Sequence, residues 1–224
     1  MAQLWRYPVK SMAGERIPTA DLGDRGVSGD RRLAVSELSP HPSEKQLSAR
    51  DVAGILRFRA HSKSGSVEVE GPELDPVAWD DGAVSASLER VCRRRLELRP
   101  SPEGAFDDAP ILLVHLATTD ALSAELGAFV DPRRFRANIY LRGEGIAADG
   151  EPQLEGRKLR CGGAVLEVIR GCPRCSIPTR EPDTWANWPQ LLRHLVQTRD
   201  ELVGVYCRVE LPGQVSEGDQ VELL

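Results

Sequence analysis

The stretch "RGCPRCSIPTREPDTW", residues 170–185, sets two thiols, Cys172 and Cys175, three positions apart among prolines and guanidiniums. Such a pair can act as a redox dithiol, as half of a zinc site, or through one activated thiolate. A redox Cys-x-x-Cys relies on a helix starting at the pair, whose N-terminus lowers the first thiol's pKa. Pro173, Pro178 and Pro182 disfavour a helix beginning at Cys175. Structural zinc wants two further ligands, and Cys161 and Cys207 stand singly rather than as a second close pair. Inert packing is how free cysteines usually behave. Arg170, Arg174 and Arg180 argue against it for at least one of the two, because guanidiniums stabilise the thiolate, the nucleophilic and metal-binding form. The residues therefore favour a reactive, loop-borne cysteine in a basic pocket, with the redox and zinc readings left open.

A second group could hold an anion. Lys10 and Ser11 in "YPVKSM" put an ammonium and a hydroxyl on a turn near Gly14. Arg31 and Arg32 open the next strand, and Arg133, Arg134 and Arg136 crowd "RRFRANIY". Singly, each reads as a solvated charge; only their coincidence with the thiol loop would give them a common ligand. Asp107 and Asp108 are adjacent in a loop, which does not put two carboxylates on one substrate. His115, inside "ILLVHLA", reads as a satisfied core residue, and Arg93 to Arg95 as a helix end. No dinucleotide fingerprint or P-loop is present.

The elements that must position these groups are mostly strands. "QLWRYPV", "RRLAVSE", "ILRFRAHS" and "SVEVEG" are short and β-like, divided by the loops "DRGVSGD" and "SPHPSEK". One helix is expected at "SASLERVCRR", capped by Ser85, before the linker-like "RPSPEGAFDDAP". Then come the buried run "ILLVHLA", a helix capped by Thr118 or Thr119, and the strand "RRFRANIYLRG". "RKLRCGG" and "AVLEVIRGC" form a hairpin at Gly162-Gly163. A helix at "WANWPQLLRHLVQTR" follows, and "LVGVYCRVE" and "DQVELL" close the chain around the turn "LPGQVSEG". The fold class expected is mainly β with minor α, as two packed, mostly antiparallel β-barrel-like halves spanning 1–98 and 99–224.

Composition sets the outer bounds. The 224 residues are 41% hydrophobic, 28% charged and 5% aromatic, ordinary for a globular protein and too apolar for a disordered one. A net charge of −5 gives the whole chain no attraction for nucleic acid, and any anion site must be built from local basic residues. No run of about 20 apolar residues exists to span a membrane, and "MAQLWRYPVK" lacks a signal peptide's apolar stretch. A cytoplasmic location is the expectation. Five cysteines are too few and scattered for a disulfide scaffold.

Taken in order, "LWRYPVKSMAGE", "GDRRLAV", "FRANIYL", "CPRCSIPTREPDT" and "VGVYC…GDQVELL" resemble the MOSC proteins, in the branch with an N-terminal β-barrel half that includes amidoxime-reducing components. The resemblance spans nearly the whole chain. It implies a molybdenum–molybdopterin cofactor, with Cys175 ligating the metal; Cys172 is then either packing or a sulfur behind the metal ligand. It implies that Lys10, Ser11 and Arg31 hold the cofactor's phosphate and pterin portions, joined by Arg50 in "SARD", Arg136 and Asn138 in "FRANIY", Arg174 beside the cysteine, and Tyr206 in "VGVYC". Asp183 is then a candidate orienter or proton relay. The activity implied is reduction of N-hydroxylated or otherwise N-oxygenated small molecules, with electrons from a separate donor protein, since the chain has no iron–sulfur motif or flavin fingerprint. A cofactor or sulfur carrier using the same cysteine, and a binding module with a decayed site, are the rival classes. The chain departs from the family's usual pattern at Pro178, Glu181 and Trp185, and at Asp108 and Ala109, where relatives often carry a hydroxyl pair.

Overall fold

The computed structural model describes residues 1–38, 46–143 and 148–224, so the expected loop "SPHPSEK" lies outside the described residues. The chain forms two compact units that are not collinear with the sequence. The larger gathers Met1–Trp5, Arg16–Ser28 and Asp108–Leu224; the smaller gathers Arg6–Glu15 and Gly29–Asp107.

The larger unit is built on a sheet whose strands lie in the order Val221–Leu223, Lys158–Cys161, Ala164–Pro173, Leu202–Leu211, Ile111–His115, Ile139–Leu141, Gln3–Arg6 and Glu15–Arg16. Ile111–His115 and Ile139–Leu141 run parallel, with helix α2 (Leu116–Leu126) between them in the chain. The continuous apolar run "ILLV" follows from burial on both faces. Ile111 and Leu113 join one core with Leu166, Val205 and Cys207, while Leu112 and Val114 join another with Leu122, Leu191 and Leu195. The last two leucines sit four apart on helix α3 (Pro189–Arg199), the spacing that puts them on one face. In the smaller unit, Leu33–Glu37 pairs with Leu96–Pro100, and Arg59–Lys63, Ser66–Gly71 and Leu74–Ala78 form an antiparallel meander. Helix α1 (Gly82–Cys92) contributes Val84 and Leu88 to a core with Val35, Ile55, Phe58 and Leu96. The protein is mostly β, largely antiparallel, as expected.

Several local expectations are corrected. Helix α1 is capped not by Ser85 but by Asp81, whose carboxylate accepts from Ala83 N–H at 2.8 Å. Helix α2 begins at Leu116 with His115 as its cap: the ring Nδ1 accepts from Ala117 N–H at 3.2 Å. Thr118 and Thr119 lie inside its first turn, donating to Glu151 and to the Leu116 carbonyl. The strand expected over "RRFRANIYLRG" shrinks to Ile139–Leu141, because Asp131 caps the Arg133 amide and Pro132 starts a 3-10 turn, Pro132–Phe135. "ILRFRAHS" likewise opens with a 3-10 turn, Ala53–Arg57, before its strand. "LPGQVSEG" is more than a turn, since Gly213–Ser216 pairs with Thr19–Gly23. Among the described residues no helix is long and apolar enough to cross a membrane.

Candidate functional site

Cys175 leaves the end of the long hairpin Ala164–Pro173 and Leu202–Leu211. Register shifts fall between Val168 and Arg170 and between Gly171 and Pro173, the irregularity that re-aims side chains at a strand end. No helix starts at the cysteine pair; Ser176 leads instead into a 3-10 turn, Ile177–Thr179. Cys172 is 1% exposed in an apolar core, whereas Cys175 is half-buried on the loop. Cys161 and Cys207 are fully buried in the other core; burial pushes the Cys161 thiol up to about 12 and the Cys207 thiol up as well. Burial also raises the Cys92 thiol, with Arg57 and Arg94 opposing it.

Arginines hold the cysteine loop in place. Arg174 is buried, and its guanidinium donates to the Val203 carbonyl and, at 3.1 Å, to the Phe135 carbonyl, with the Phe135 ring 5.3 Å away. Gly204 makes room for this: it has φ +72°, and a Cβ there would lie 2.5 Å from the Leu113 carbonyl oxygen and 3.4 Å from Arg174 Nη2. From the 3-10 turn Pro132–Phe135, Arg134 donates to the Pro178 carbonyl at 3.1 Å and lies over Trp188. Arg133 chelates Asp183 at 3.0 and 2.6 Å while also bonded to Asp131. These two carboxylates hold the Arg133 guanidinium well above its ordinary value, Asp131 contributing most. Burial lowers the Arg134 guanidinium, and its Nε has no partner among the described residues. Beyond the cysteine, Thr179 Oγ1 reaches Asn187 at 2.8 Å, and Glu181 accepts from the amides of Asp183 and Thr184. Burial pushes the Glu181 carboxyl up, but these donors outweigh it and leave it lowered. Trp185 takes the left-handed backbone, φ +60°.

Other residues of this unit have defined settings. Asn138 is buried; its Oδ1 accepts from Leu112 N–H at 3.2 Å and its Nδ2 donates to the Trp5 carbonyl at 3.3 Å, fastening neighbouring strands. Arg136 caps the 3-10 turn with φ +55°, a conformation uncommon for a non-glycine residue. Tyr206 lies opposite Arg170, whose guanidinium is 5.9 Å from its ring centroid and also pairs with Asp108. His115 is the satisfied core residue expected: its amide donates to Glu151 and its ring caps α2.

The smaller unit gathers a second group. Lys10 Nζ and Arg50 Nη2 each lie 2.9 Å from Asp107 Oδ1. Ser11 is buried with φ +71°, and its hydroxyl accepts from Ala49 N–H at 2.9 Å, next to Arg50. Arg31, also left-handed, is paired with the fully buried Asp30 and sits 5.0 Å from the Tyr7 ring. Burial alone would lower its guanidinium, yet Asp30, Tyr7 and Asp107 leave it raised. Burial pushes Asp107 up, and Lys10, Arg50 and Arg31 outweigh it, so its carboxyl lies below the ordinary value.

Thus Lys10 and Arg50 share the Asp107 carboxylate, which Arg31 influences only through space, Ser11 stands beside Arg50, and Arg174 and Asp183 belong to the framework of the Cys175 loop. Sequence reasoning missed Asp107 as their shared partner, Asp30 beneath Arg31, Gly204 behind Arg174, and Arg133 and Arg134 as loop clamps. Asp30 in "GDRR" and Gly204 in "VGVY" had a signal within motifs already singled out. The arginines had none, since a clamp and an anion ligand look alike in one dimension.

Comparisons with known proteins agree with this architecture. The family model described as the MOSC N-terminal beta barrel domain matches residues 1–98, and that described as the MOSC domain matches residues 100–222. Mitochondrial amidoxime-reducing component 1 of Mus musculus is 24% identical and that of Homo sapiens 25%, each alignment covering 100% of this chain and 82% of the relative. The molybdenum cofactor sulfurase of Drosophila grimshawi is 24% identical across 100% of this chain, which covers 34% of that longer protein. Among solved structures, the YuaD protein from Bacillus subtilis superposes with a TM-score of 0.54 at 17% identity, covering 99% of this chain and 92% of that one, and shows a shared fold. With its cysteine loop and basic cluster set in this β framework, the chain belongs to the MOSC domain family.

Proposed function

We propose that this protein binds a molybdenum–molybdopterin cofactor through Cys175 and reduces N-hydroxylated or otherwise N-oxygenated small molecules. The observation that carries the reading is the setting of Cys175: a half-buried thiol on a loop tied down by Arg174, Arg134 and Arg133, while Cys161, Cys172 and Cys207 are enclosed in cores. A soft thiolate on a rigid loop fits a soft metal centre, and the buried Arg134 Nε is a donor still to be satisfied. The relatives' names support the reading in part: the amidoxime-reducing component names the reduction, and the molybdenum cofactor sulfurase names the cofactor alone.

In this reading Cys175 ligates the metal, Lys10, Ser11, Arg31 and Arg50 bind the anionic and pterin portions, and Arg136, Asn138 and Tyr206 line the cofactor. Arg174 acts on the loop that presents the thiol. Asp183, held by Arg133, can orient substrate or pass a proton at its carboxylate. The cofactor, when bound, supplies two-electron redox chemistry. Electrons come from a separate donor protein, the substrate is a small molecule, and the division 1–98 and 99–224 is the domain organisation we assign.

Protein purified from a cofactor-competent host is expected to contain molybdenum and pterin, and to reduce benzamidoxime or hydroxylaminopurine with a chemical electron donor. Cys175→Ser should lose both metal and activity, and Cys172→Ser should keep them. Wild type devoid of molybdenum and pterin, or a Cys175→Ser variant as well loaded as wild type, would sink the proposal. Loaded protein without turnover would instead favour a cofactor carrier.

A further inference from the structure

In the smaller unit, three cations on three segments converge on one carboxylate. Lys10 and Arg50 contact the same oxygen of Asp107 at 2.9 Å, and Arg31 acts on it through space. The segment bearing Asp107 is fastened nearby, with Ala105 N–H donating to the Arg31 carbonyl at 2.8 Å. Asp107 is itself 38% exposed at its side chain, so it is a removable partner rather than a buried one. Asp30 already balances Arg31 from beneath.

We propose that Asp107 is a specificity-determining residue, an internal counterion that a ligand must displace and that makes this cluster select dianionic phosphate over monoanions. The proposal rests on the reading of Lys10, Arg31 and Arg50 as holders of the cofactor's anionic part. A monoanion entering the cluster exchanges one carboxylate for another and gains no charge. It also competes with a group tethered in place, whose effective concentration is on the order of millimolar. A phosphate dianion brings one more charge and enough acceptor oxygens to engage an ammonium and two guanidiniums together. Asp107 therefore rejects chloride and carboxylates while costing a phosphate only part of its binding energy.

The test titrates the 224-residue chain with inorganic phosphate and with acetate at fixed ionic strength, by calorimetry and thermal shift. Wild type should bind phosphate and not acetate. Asp107→Asn should bind phosphate at least about tenfold tighter, from the like charge removed, and should gain acetate binding. Asp75→Asn, an exposed change of equal charge in the same unit, should leave phosphate affinity within about twofold. Asp107→Ser, checked for fold by circular dichroism, repeats the test should the asparagine fail to fold. The proposal is overturned by Asp107 variants that bind phosphate no tighter than wild type, by wild type that takes acetate as readily as phosphate, or by phosphate bound to neither. Molybdenum and pterin content, measured separately, reports on the cofactor reading, so either can fail while the other stands.

Discussion

Arg174 shows how a residue adjacent to the proposed metal-binding thiol, Cys175, can act without facing a ligand. Its planar fork joins the Val203 and Phe135 carbonyls, and an ammonium cannot span both with that geometry. Arg174→Lys should therefore leave a buried carbonyl poorly satisfied, costing about 1–3 kcal/mol in thermal or denaturant unfolding. The same variant should speed alkylation of Cys175 by iodoacetamide, because the loop is less restrained. Unchanged melting and unchanged alkylation would show that the fork does not hold the loop. At this scale the sequence was legible where chemistry is carried by residue type. Residue types pointed to one activated thiol without saying which of the pair; the resemblance singled out Cys175, and Cys172 is the one enclosed in a core. The roles of arginines were not legible, because a guanidinium bonded to main-chain carbonyls and one bonded to an anion carry the same letter.

The pairing of helices depends on Arg199, at the C-terminal end of α3. Its side chain, 6% exposed, reaches Glu125 on α2 at 2.7 Å and Asp149 at 2.7 Å. Arg199, with His194, holds the Glu125 carboxyl down to about 2 from an ordinary value of 4.5. A depressed carboxylate contributes its stability fully above the unfolded value and loses it as pH falls through the folded one. The stability gap between wild type and Arg199→Gln is therefore expected at pH 7 and should shrink between about pH 4.5 and 2, read as melting temperature against pH. A gap independent of pH over that window would assign the loss to packing instead. Among elements, hairpins and buried runs were legible because period-two alternation and a Gly-Gly turn are local signals, as in Lys158–Cys161 and Ala164–Pro173. Helix starts were not: Asp81 and His115 take the cap positions that Ser85 and the threonines seemed to offer. A cap is decided by where the preceding strand or turn ends, and that is set by tertiary packing.

The compact units interleave along the chain, so a cut in sequence does not isolate a unit. Leu4, Ile17, Ala20, Leu22 and Val27 belong to the same core as Ile111, Leu166 and Val205. A fragment of residues 99–224 lacks those side chains and the partner strand of Gly213–Ser216. Expressed alone, it should show the broad, poorly dispersed NMR spectrum of a loosely packed chain, and adding a peptide of residues 1–28 should sharpen it. A well-dispersed spectrum for the fragment alone would show that the early segments are dispensable. Overall class was legible because strand signals dominate the sequence; the interleaving was not, since the pairing of Thr19–Gly23 with Gly213–Ser216 joins residues far apart in the chain and leaves no local trace.

That same pairing constrains biosynthesis. The strand Thr19–Gly23 is made long before its partner Gly213–Ser216, since about 190 residues separate them. During translation at ~5–20 residues per second, one edge of that strand stays unpaired for on the order of ten seconds or more, open to other nascent chains. Until the late strand is made, protecting that edge is a task the finished fold cannot perform.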